Sequence, residues 1–299
     1  MPELPDVEAY LEALRRVAVG HVFERVRVAS PIILRTFDPP IREAEGKRVR
    51  GVRRIGKRIV LELEDGLYLV VHLMIAGRFH WKPKGTRVPA RVGHAALDLD
   101  DGTLLLTEAN ATKRAALHLV RGDAALAAFA RGGIEPLEAD LDTFREALTR
   151  ESHTLKRALT DPTIFSGIGN AYSDEILHRA RLAPTKLTRA LEAGEIERLW
   201  RAARDVLREW TERLVAEARE RFPEKVTAFR PEMAVHGRYG KPCPACGSPV
   251  QRVVYAENEA NYCATCQTGG KLLADRALSR LLREDWPCTL SEMEERLGR

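Results

Sequence analysis

The chain has 299 residues, more than the roughly 100–200 of an ordinary single domain, so two domains and a small appended module are expected. Hydrophobic residues make up 44% and charged residues 30%, a balance that excludes a largely disordered chain. The longest apolar runs, such as residues 67–73, fall far short of the roughly 18 residues of a membrane span, and the acidic start lacks the basic region of a signal peptide. We therefore expect a cytoplasmic protein with no membrane partner. The formal net charge of +5 is compatible with a polyanionic partner but identifies none.

The N-terminal part of the chain changes from a helical to a strand pattern. Apolar residues at helical spacing predict an amphipathic helix over residues 5–19, with Gly20 beyond its end. Short apolar and alternating runs follow up to residue 120, and this spacing predicts a β-sandwich or barrel. The predicted strands cover residues 22–29, 48–55, 58–64, 67–73, 94–99, 103–107 and 115–120.

A glycine pair, Gly132 and Gly133, precedes a mostly helical region and places a domain boundary near residues 132–140. From Ala234 the pattern is short-stranded around the cysteines, and residues 271–299 form a polar, helix-prone tail. The predicted helices of the middle region cover residues 143–149, 154–159, 170–180 and 196–221.

Four of the five cysteines form two CxxC pairs, Cys243 with Cys246 and Cys263 with Cys266. Each pair can turn two thiolates toward one ion, so the four sulfurs predict a closed tetrahedral Zn²⁺ site. A site with four sulfur ligands has no open position, so this zinc would be structural. The alternative is four buried cysteines without a ligand. Cys288 has no partner motif and is assigned no role.

Two features are suited to phosphate but have ordinary alternatives. Residues 47–58 contain a run of cations and no acid, which predicts either a DNA-facing surface or a strand edge protected by charge. The glycine-rich segment 165–170 precedes a predicted helix with Asn170 near its N-cap, which predicts an anion site or a plain connection. Arg238, just before the first cysteine pair, is a weaker candidate, because a lone Arg is usually a surface or packing residue.

Five segments of the chain together carry a family pattern. They are Met-Pro-Glu-Leu-Pro-Asp-Val-Glu at residues 1–8, Gly-Lys at 56–57, His-Leu at 72–73, Gly-Ile-Gly-Asn-Ala-Tyr-Ser-Asp-Glu at 167–175, and the cysteine-bearing segment 236–267. In this order they resemble the formamidopyrimidine-DNA glycosylase and endonuclease VIII family of base-excision repair enzymes, and the start is closer to the formamidopyrimidine branch.

The resemblance implies an α+β multidomain fold. It consists of an N-terminal β-sandwich with a leading helix, a helix-two-turn-helix domain and a C-terminal zinc-finger β-hairpin with one structural zinc ion. The corresponding boundaries are residues 1–132 for the catalytic sandwich, 133–233 for the helical DNA-binding domain, 234–270 for the zinc finger and 271–299 for a C-terminal extension.

The resemblance also implies the catalytic residues. Met1 would be removed so that the secondary amine of Pro2 attacks C1′ of the damaged nucleotide, and Glu3 would act as the acid/base in opening the sugar ring. Lys57 would lie near the lesion and its phosphate. An α-amino group has a pKa near 8, so a useful fraction is an unprotonated nucleophile at neutral pH. The resulting Schiff base would allow β- and then δ-elimination.

Carried over in the same way, the DNA contacts fall on both sides of the predicted boundary. The lesion would be flipped from the stack into a pocket between the two domains, and Ile75 would fill the space that it leaves. The backbone and phosphate contacts would come from His72, Gly169, Asn170, Arg238 and Asn258. The expected partner is damaged duplex DNA, bound by a monomer that is associated with the nucleoid.

The sequence departs from the family in its recognition parts. Ile75 stands where the family has a Met. Residues 108–114 replace a later loop and offer no Phe and no secure counterpart of the Arg that pairs with the orphaned base. Asn258 stands at the usual zinc-finger Arg, which should weaken DNA binding there. Residues 271–282, in the tail, are compatible with an extra helix that covers the zinc module or contacts a protein partner.

The leading hypothesis is therefore a bifunctional DNA glycosylase and abasic-site (AP) lyase with an altered lesion spectrum and weak or absent excision of 8-oxoguanine. The first alternative is a non-catalytic protein of the same fold that binds damaged DNA. The retained Pro2, Glu3 and Lys57 favour the enzyme, because a pure binder has no need of an N-terminal secondary amine. A structural zinc protein that uses the fold for protein contacts is the second alternative.

Overall fold

The computed structural model describes residues 1–227, 229–255, 258–274 and 287–296. It divides into two compact units. Unit 1 contains Met1–Arg131 and Glu209–Thr227, and unit 2 contains Gly132–Arg208 and Ala228–Arg299. None of the described helices is both long and apolar enough to cross a membrane.

Unit 1 is a β-sandwich preceded by helix α1 (Leu4–Val17) and followed by the short helix α2 (Asp123–Ala127). All strand pairs within its two four-stranded sheets are antiparallel, in the orders β1-β6-β7-β5 and β2-β3-β4-β8. The strands are β1 (Phe23–Val28), β2 (Val49–Ile55), β3 (Arg58–Leu63), β4 (Leu67–His72), β5 (Gly77–Lys82), β6 (Gly93–Leu99), β7 (Thr103–Glu108) and β8 (Ala116–Arg121).

The core of unit 1 lies between the two sheets and extends under α1. Tyr10 of α1 is fully buried and packs edge-on against Phe79, with ring centroids 5.8 Å apart. Phe222, beyond the end of the long helix of the chain, belongs to the same apolar cluster. The predicted leading helix and sandwich are confirmed. Strand β5 was not predicted, although its polar and apolar residues alternate over 78–82 and Pro83 and Gly85 follow it.

The run of cations at residues 47–58 lies largely on β2, an edge strand. Arg50 pairs with Glu64 at 2.7 Å, Arg53 with Glu62 at 2.5 Å and Lys47 with Asp65. Because each of these cations has an acid beside it, the charged-edge interpretation fits this segment better than a bare phosphate-binding face.

Unit 2 begins with helices and ends in a β-hairpin. Its helices include α3 (Leu141–Thr149), α4 (Leu155–Thr160) and α5 (Asn170–Ala180). The long helix α6 (Ala193–Glu220) begins in unit 2 and ends in unit 1. Strands β9 (Val250–Tyr255) and β10 (Asn258–Cys263) pair antiparallel, and the short helices α7 (Ala264–Thr268) and α8 (Leu290–Arg296) follow. The predicted helical region and zinc-finger hairpin are confirmed.

The chain after the hairpin folds back onto it. Residues 271–274 are not helical, contrary to the expected helix over 271–282, and residues 275–282 lie outside the described residues. Lys271 forms a bridge with Thr289. The apolar side of α8 joins residues of the hairpin and of the segment after it in one cluster: Val253, Tyr262, Ala264, Leu272, Leu273, Leu290 and Met293.

Candidate active site and nucleic-acid interface

The N-terminus of the chain begins directly before α1. Pro2 is buried, and Glu3, only 2% exposed, is the N-cap residue of the helix. The backbone N–H of Glu3 donates to Asp6 Oδ2 at 3.0 Å. Acidic side chains are favoured at this end because the helix dipole is positive there. The local fold therefore holds a carboxylate beside the start of the chain.

The amine at the N-terminus is largely desolvated and has charges of both signs near it, the carboxylates of Glu3 and Asp6 and the cations Arg78 and Lys57. Burial lowers the pKa of the Met1 α-amino group below its ordinary value, Glu3 opposes this shift, and Arg78 and Lys57 add to it. A lower pKa leaves more of the amine unprotonated at neutral pH. This corner of unit 1 therefore favours a nucleophilic amine.

Lys57 occupies the two-residue turn between β2 and β3. Ile55 pairs with Arg58 across the turn, so Gly56 and Lys57 form its tip. Gly56 has a φ of 59°, in the left-handed region that glycine adopts without strain. The turn places Lys57 close enough to lower the pKa of both the N-terminal amine and the His72 ring.

His72, the last residue of β4, is a neutral histidine. Burial, together with the positive charges of Arg58 and Lys57, lowers its pKa to about 4. At neutral pH its ring can donate or accept a hydrogen bond but carries no charge. Any phosphate contact by His72 would therefore be a neutral hydrogen bond.

Ile75 lies on the tight turn between β4 and β5 and is 50% exposed. Met74 before it has a φ of 52°, and the N–H of Gly77 donates to Leu73 O at 2.8 Å. A Cβ on Gly77 would approach that same oxygen to 2.2 Å, so the turn requires glycine there. The turn thus presents an apolar side chain to solvent.

The loop at residues 109–114 is anchored by Glu108, which is only 1% exposed. Its carboxylate accepts hydrogen bonds from the N–H of Arg114 at 3.0 Å and of Ala115 at 3.2 Å, and lies 3.0 Å from His94 Nε2. Residues 109–112 of the loop are exposed. The ends of the loop are therefore fixed, while its tip of small residues faces solvent.

The start of α5 is built for close approach of a ligand. Gly169 is its N-cap residue, and Gly167 has a φ of 81°. Among the residues that the structure describes, no hydrogen-bond partner is recorded for the Asn170 side chain, which is half-buried at the first position of the helix. Free N–H groups at a helix N-terminus attract anions, so this end of α5 is a candidate phosphate site.

The four cysteines lie together as the sequence predicted, with their sulfur atoms all within 4.8 Å of one another. Cys243 and Cys266 are 4.0 Å apart between Sγ atoms, and Cys246 and Cys263 are 3.4 Å apart. Four thiolates in this arrangement suit one tetrahedral zinc ion. His178 Nε2 of α5 lies 3.3 Å from the Cys243 sulfur, the kind of outer hydrogen bond that stabilises a zinc-bound thiolate.

Two predicted DNA contacts lie on the zinc module and just before it. The guanidinium of Arg238 donates to the carbonyl oxygens of Pro231 at 2.8 Å and Pro242 at 3.3 Å, which are structural contacts. Asn258 is the first residue of β10 and pairs with Tyr255 across the hairpin.

Comparison with known proteins gives the same assignment for most of the chain. The formamidopyrimidine-DNA glycosylase N-terminal domain matches residues 1–112, the H2TH domain of the same glycosylase matches residues 133–216, and a zinc finger found in FPG and IleRS matches residues 240–269. A formamidopyrimidine-DNA glycosylase of Thermus thermophilus is 37% identical over 278 residues, covering 90% of this chain and 100% of the relative. The chain belongs to the formamidopyrimidine-DNA glycosylase family.

Solved structures of the family have the same fold. The crystal structure of the MutM (Fpg) protein from Thermus thermophilus covers 89% of this chain and 98% of that protein, with 35% identity and a TM-score of 0.75. The Fpg of Lactococcus lactis, bound non-covalently to DNA with an abasic site, covers 89% and 99%, with 26% identity and a TM-score of 0.78. The chain is thus a DNA glycosylase of base-excision repair, in a family with AP lyase activity.

The structure also identifies polar residues that the sequence did not single out. His94 and Glu108 form a buried contact under the 109–114 loop. Lys156, Asp174 and His236 form a buried cluster in unit 2. Asp174 falls inside the motif at 167–175 and His236 begins the segment 236–267, but no sequence pattern indicated that these groups meet, because the partners lie far apart along the chain.

Proposed function

We propose that this glycosylase removes a damaged, oxidised base and cleaves the resulting abasic site through an imine formed by Pro2. After removal of Met1, the amine nitrogen bonds to C1′ as the bond from C1′ to the base breaks. The iminium then makes a C2′ proton acidic, which permits β-elimination of the 3′ phosphate and then δ-elimination of the 5′ phosphate.

The observation that carries this proposal is that Pro2 and Glu3 are buried together at the start of α1, with Lys57 close enough to lower the pKa of the preceding Met1 α-amino group. Glu3 would protonate the ring oxygen of the sugar as it opens and later carry protons in the elimination steps. Lys57 would hold the phosphate near the lesion. A protein that only bound DNA would have no need of this arrangement.

The proposed DNA contacts are those that the family resemblance implies, and the geometry at His72, Ile75 and the start of α5 supports them. His72 and Ile75 act in unit 1, as a neutral hydrogen-bonding group on the backbone and as the apolar wedge. Gly169 and Asn170 bind a phosphate at the start of α5. Arg238 and Asn258 complete the set at the zinc module, which the structural zinc ion holds in shape.

The finer assignments belong to the same proposal. We assign residues 1–132, 133–233, 234–270 and 271–299 to the sandwich, the helical domain, the zinc finger and the extension. The protein acts as a monomer associated with the nucleoid of the cytoplasm, and the extension is available to a protein partner.

The test is trapping with sodium borohydride on a duplex that contains an abasic site, after mass spectrometry has confirmed loss of Met1. We expect a covalent adduct with the unmodified protein, a large loss of adduct with Pro2→Gly and at least a tenfold slower lyase step with Glu3→Gln. Glu12→Gln, which removes a carboxylate from the same helix, is the matched control and should behave as the unmodified protein. No adduct from protein that lacks Met1 would instead favour the non-catalytic binder.

A further inference from the structure

Asp174 lies at the centre of a buried polar cluster in unit 2 that the chemistry above does not use. Its side chain is fully buried on α5. One carboxylate oxygen accepts a hydrogen bond from Lys156 Nζ at 2.6 Å, and the other lies 2.8 Å from His236 Nδ1 and 3.4 Å from Asn261 Nδ2. Asp174 therefore connects α4, the segment before the zinc module, and strand β10.

Lys156 connects this cluster to the start of α5. Its ammonium group also donates to the carbonyl oxygen of Asn170 at 2.6 Å. The side chain of Lys156 is only 12% exposed, so its charge is directed into the cluster rather than toward solvent. The first and second turns of α5 are thus joined through one cation.

The neighbouring Glu175 fixes the other side of the cluster. Its carboxylate accepts hydrogen bonds from the backbone N–H groups of Ala234 at 2.7 Å, Val235 at 2.9 Å and His236 at 2.9 Å. The position of His236 is therefore set by α5 through its main chain as well as its ring. Asp174 is therefore fixed by Lys156 at one carboxylate oxygen and by His236 at the other.

Buried charges are a poor source of net stability, because desolvation offsets most of their attraction. Such a cluster fixes geometry instead, since each oxygen of Asp174 is satisfied in only one arrangement of its partners. Through Lys156 of α4, the cluster fixes the position of Asn170 at the start of α5.

We propose that Lys156 and Asp174 are positioning residues for DNA binding, which hold the main chain at Asn170 so that its side chain and the N-terminus of α5 meet a phosphate. His236 and Asn261 fix Asp174 from the side of the zinc module. This inference rests on the proposed phosphate contact of Asn170.

The test measures the affinity of Lys156→Met for a duplex with a tetrahydrofuran abasic analogue over a range of salt concentrations. Methionine keeps the length of the side chain and removes its donors. We expect affinity to fall by about tenfold, the loss typical of a hydrogen bond to a charged group. The slope of log K against log salt should be unchanged, because Lys156 itself neutralises no phosphate. Lyase turnover at saturating abasic DNA should stay within about twofold of the unmodified protein, because the substitution changes the binding constant for DNA and not the rate of the chemical step.

A double-mutant cycle tests the route through Asn170. If Lys156 acts through that residue, Lys156→Met combined with Asn170→Ala should weaken binding by clearly less than the sum of the two single losses. Lys186→Gln, which removes a cation paired with Glu195 at 2.6 Å in the same unit, is the control and should change affinity by less than about twofold.

Two results would overturn the inference. A salt slope lowered by about one unit would make Lys156 a direct phosphate contact. If the losses of affinity in the double mutant were additive, Lys156 would not act through Asn170. Should Lys156→Met fail to fold, as judged by circular dichroism and zinc content, Asp174→Asn keeps the shape of the site and serves in its place. Failure of the proposed function itself would show separately, as absence of a borohydride adduct with the unmodified protein.

Discussion

His72 shows how one position in the sandwich sets both chemistry and acid stability. Its pKa of about 4 follows first from burial and then from the cations Arg58 and Lys57. An unfolded histidine titrates near 6.5. Between about pH 6.5 and pH 4, the unfolded chain therefore binds a proton that the folded His72 does not, so stability falls as the pH is lowered through this range.

Replacing His72 with Gln should remove this part of the acid sensitivity. Between pH 7 and pH 4.5, we expect the free energy of unfolding of the sandwich to fall by about 2.5 kcal/mol less in His72→Gln than in the unmodified protein. Urea unfolding followed by circular dichroism at both pH values measures the difference. His153→Gln, in unit 2, is the control. An equal acid-induced loss in His72→Gln and the unmodified protein would contradict the assignment.

At the residue scale, sequence motifs supplied the catalytic candidates but gave no information on the charges and burial around them. Pro2, Glu3 and Lys57 came from short motifs. The electrostatic field around them depends on residues such as Arg78. This residue is far away along the chain, and only the fold of the sandwich brings it near the N-terminus.

Among the elements, the C-terminal helix α8 has a clear structural task. Leu290 is 8% exposed, and the helix packs on the apolar side of the zinc hairpin. The hydroxyl oxygen of Tyr262 on the hairpin accepts a hydrogen bond from the N–H of Leu273 at 2.8 Å. A zinc module has little core of its own, so this packing adds to what the metal supplies.

Loss of this packing should loosen the zinc site. Leu290→Asp places a charge in the apolar cluster at a cost of about 3 kcal/mol and should speed zinc release to a chelating dye by several-fold. Ser291→Asp puts the same charge on the exposed neighbouring position and is the matched control. Equal release rates for the two variants would show that α8 does not support the metal site.

The sequence predicted most elements correctly where hydrophobic periodicity was strong, as in α1 and α6. It missed β5, although residues 78–82 alternate between polar and apolar and Pro83 and Gly85 follow them, because the strand is short and has only two large apolar residues, Phe79 and Trp81. The basic run at residues 47–58 could not be interpreted from sequence alone, because the acids that pair with it lie mainly on or just after the adjacent strand β3.

For the whole molecule, the lesion preference is predicted from which segments keep the family pattern and which depart from it. The residues proposed for catalysis keep the family pattern, whereas the exposed tip of the 109–114 loop consists of small residues and Asn258 stands where the resemblance expects a cation. We expect efficient lyase action on abasic DNA but release of 8-oxoguanine opposite cytosine at least about tenfold slower, because the altered positions are those that the family resemblance assigns to filling the space left by the flipped base, pairing with the orphaned base and binding DNA at the zinc finger.

Single-turnover assays of both substrates with one preparation measure this ratio. The abasic substrate is the internal control, because it uses the same amine but needs no base recognition. Release of 8-oxoguanine as fast as cleavage of the abasic site would contradict the altered spectrum and show that other residues replace the loop.

The sequence by itself determined the family, the order of the parts, the four zinc ligands and the catalytic candidates, because each depends on residue types at fixed and short spacings. Only the tertiary structure decided the pairing of the cations on β2, the anchoring of the 109–114 loop by Glu108, and the cluster around Asp174. These features depend on contacts between residues far apart in the chain. Such contacts arise when burial forces polar groups to find partners, and no local pattern records which partner each will meet.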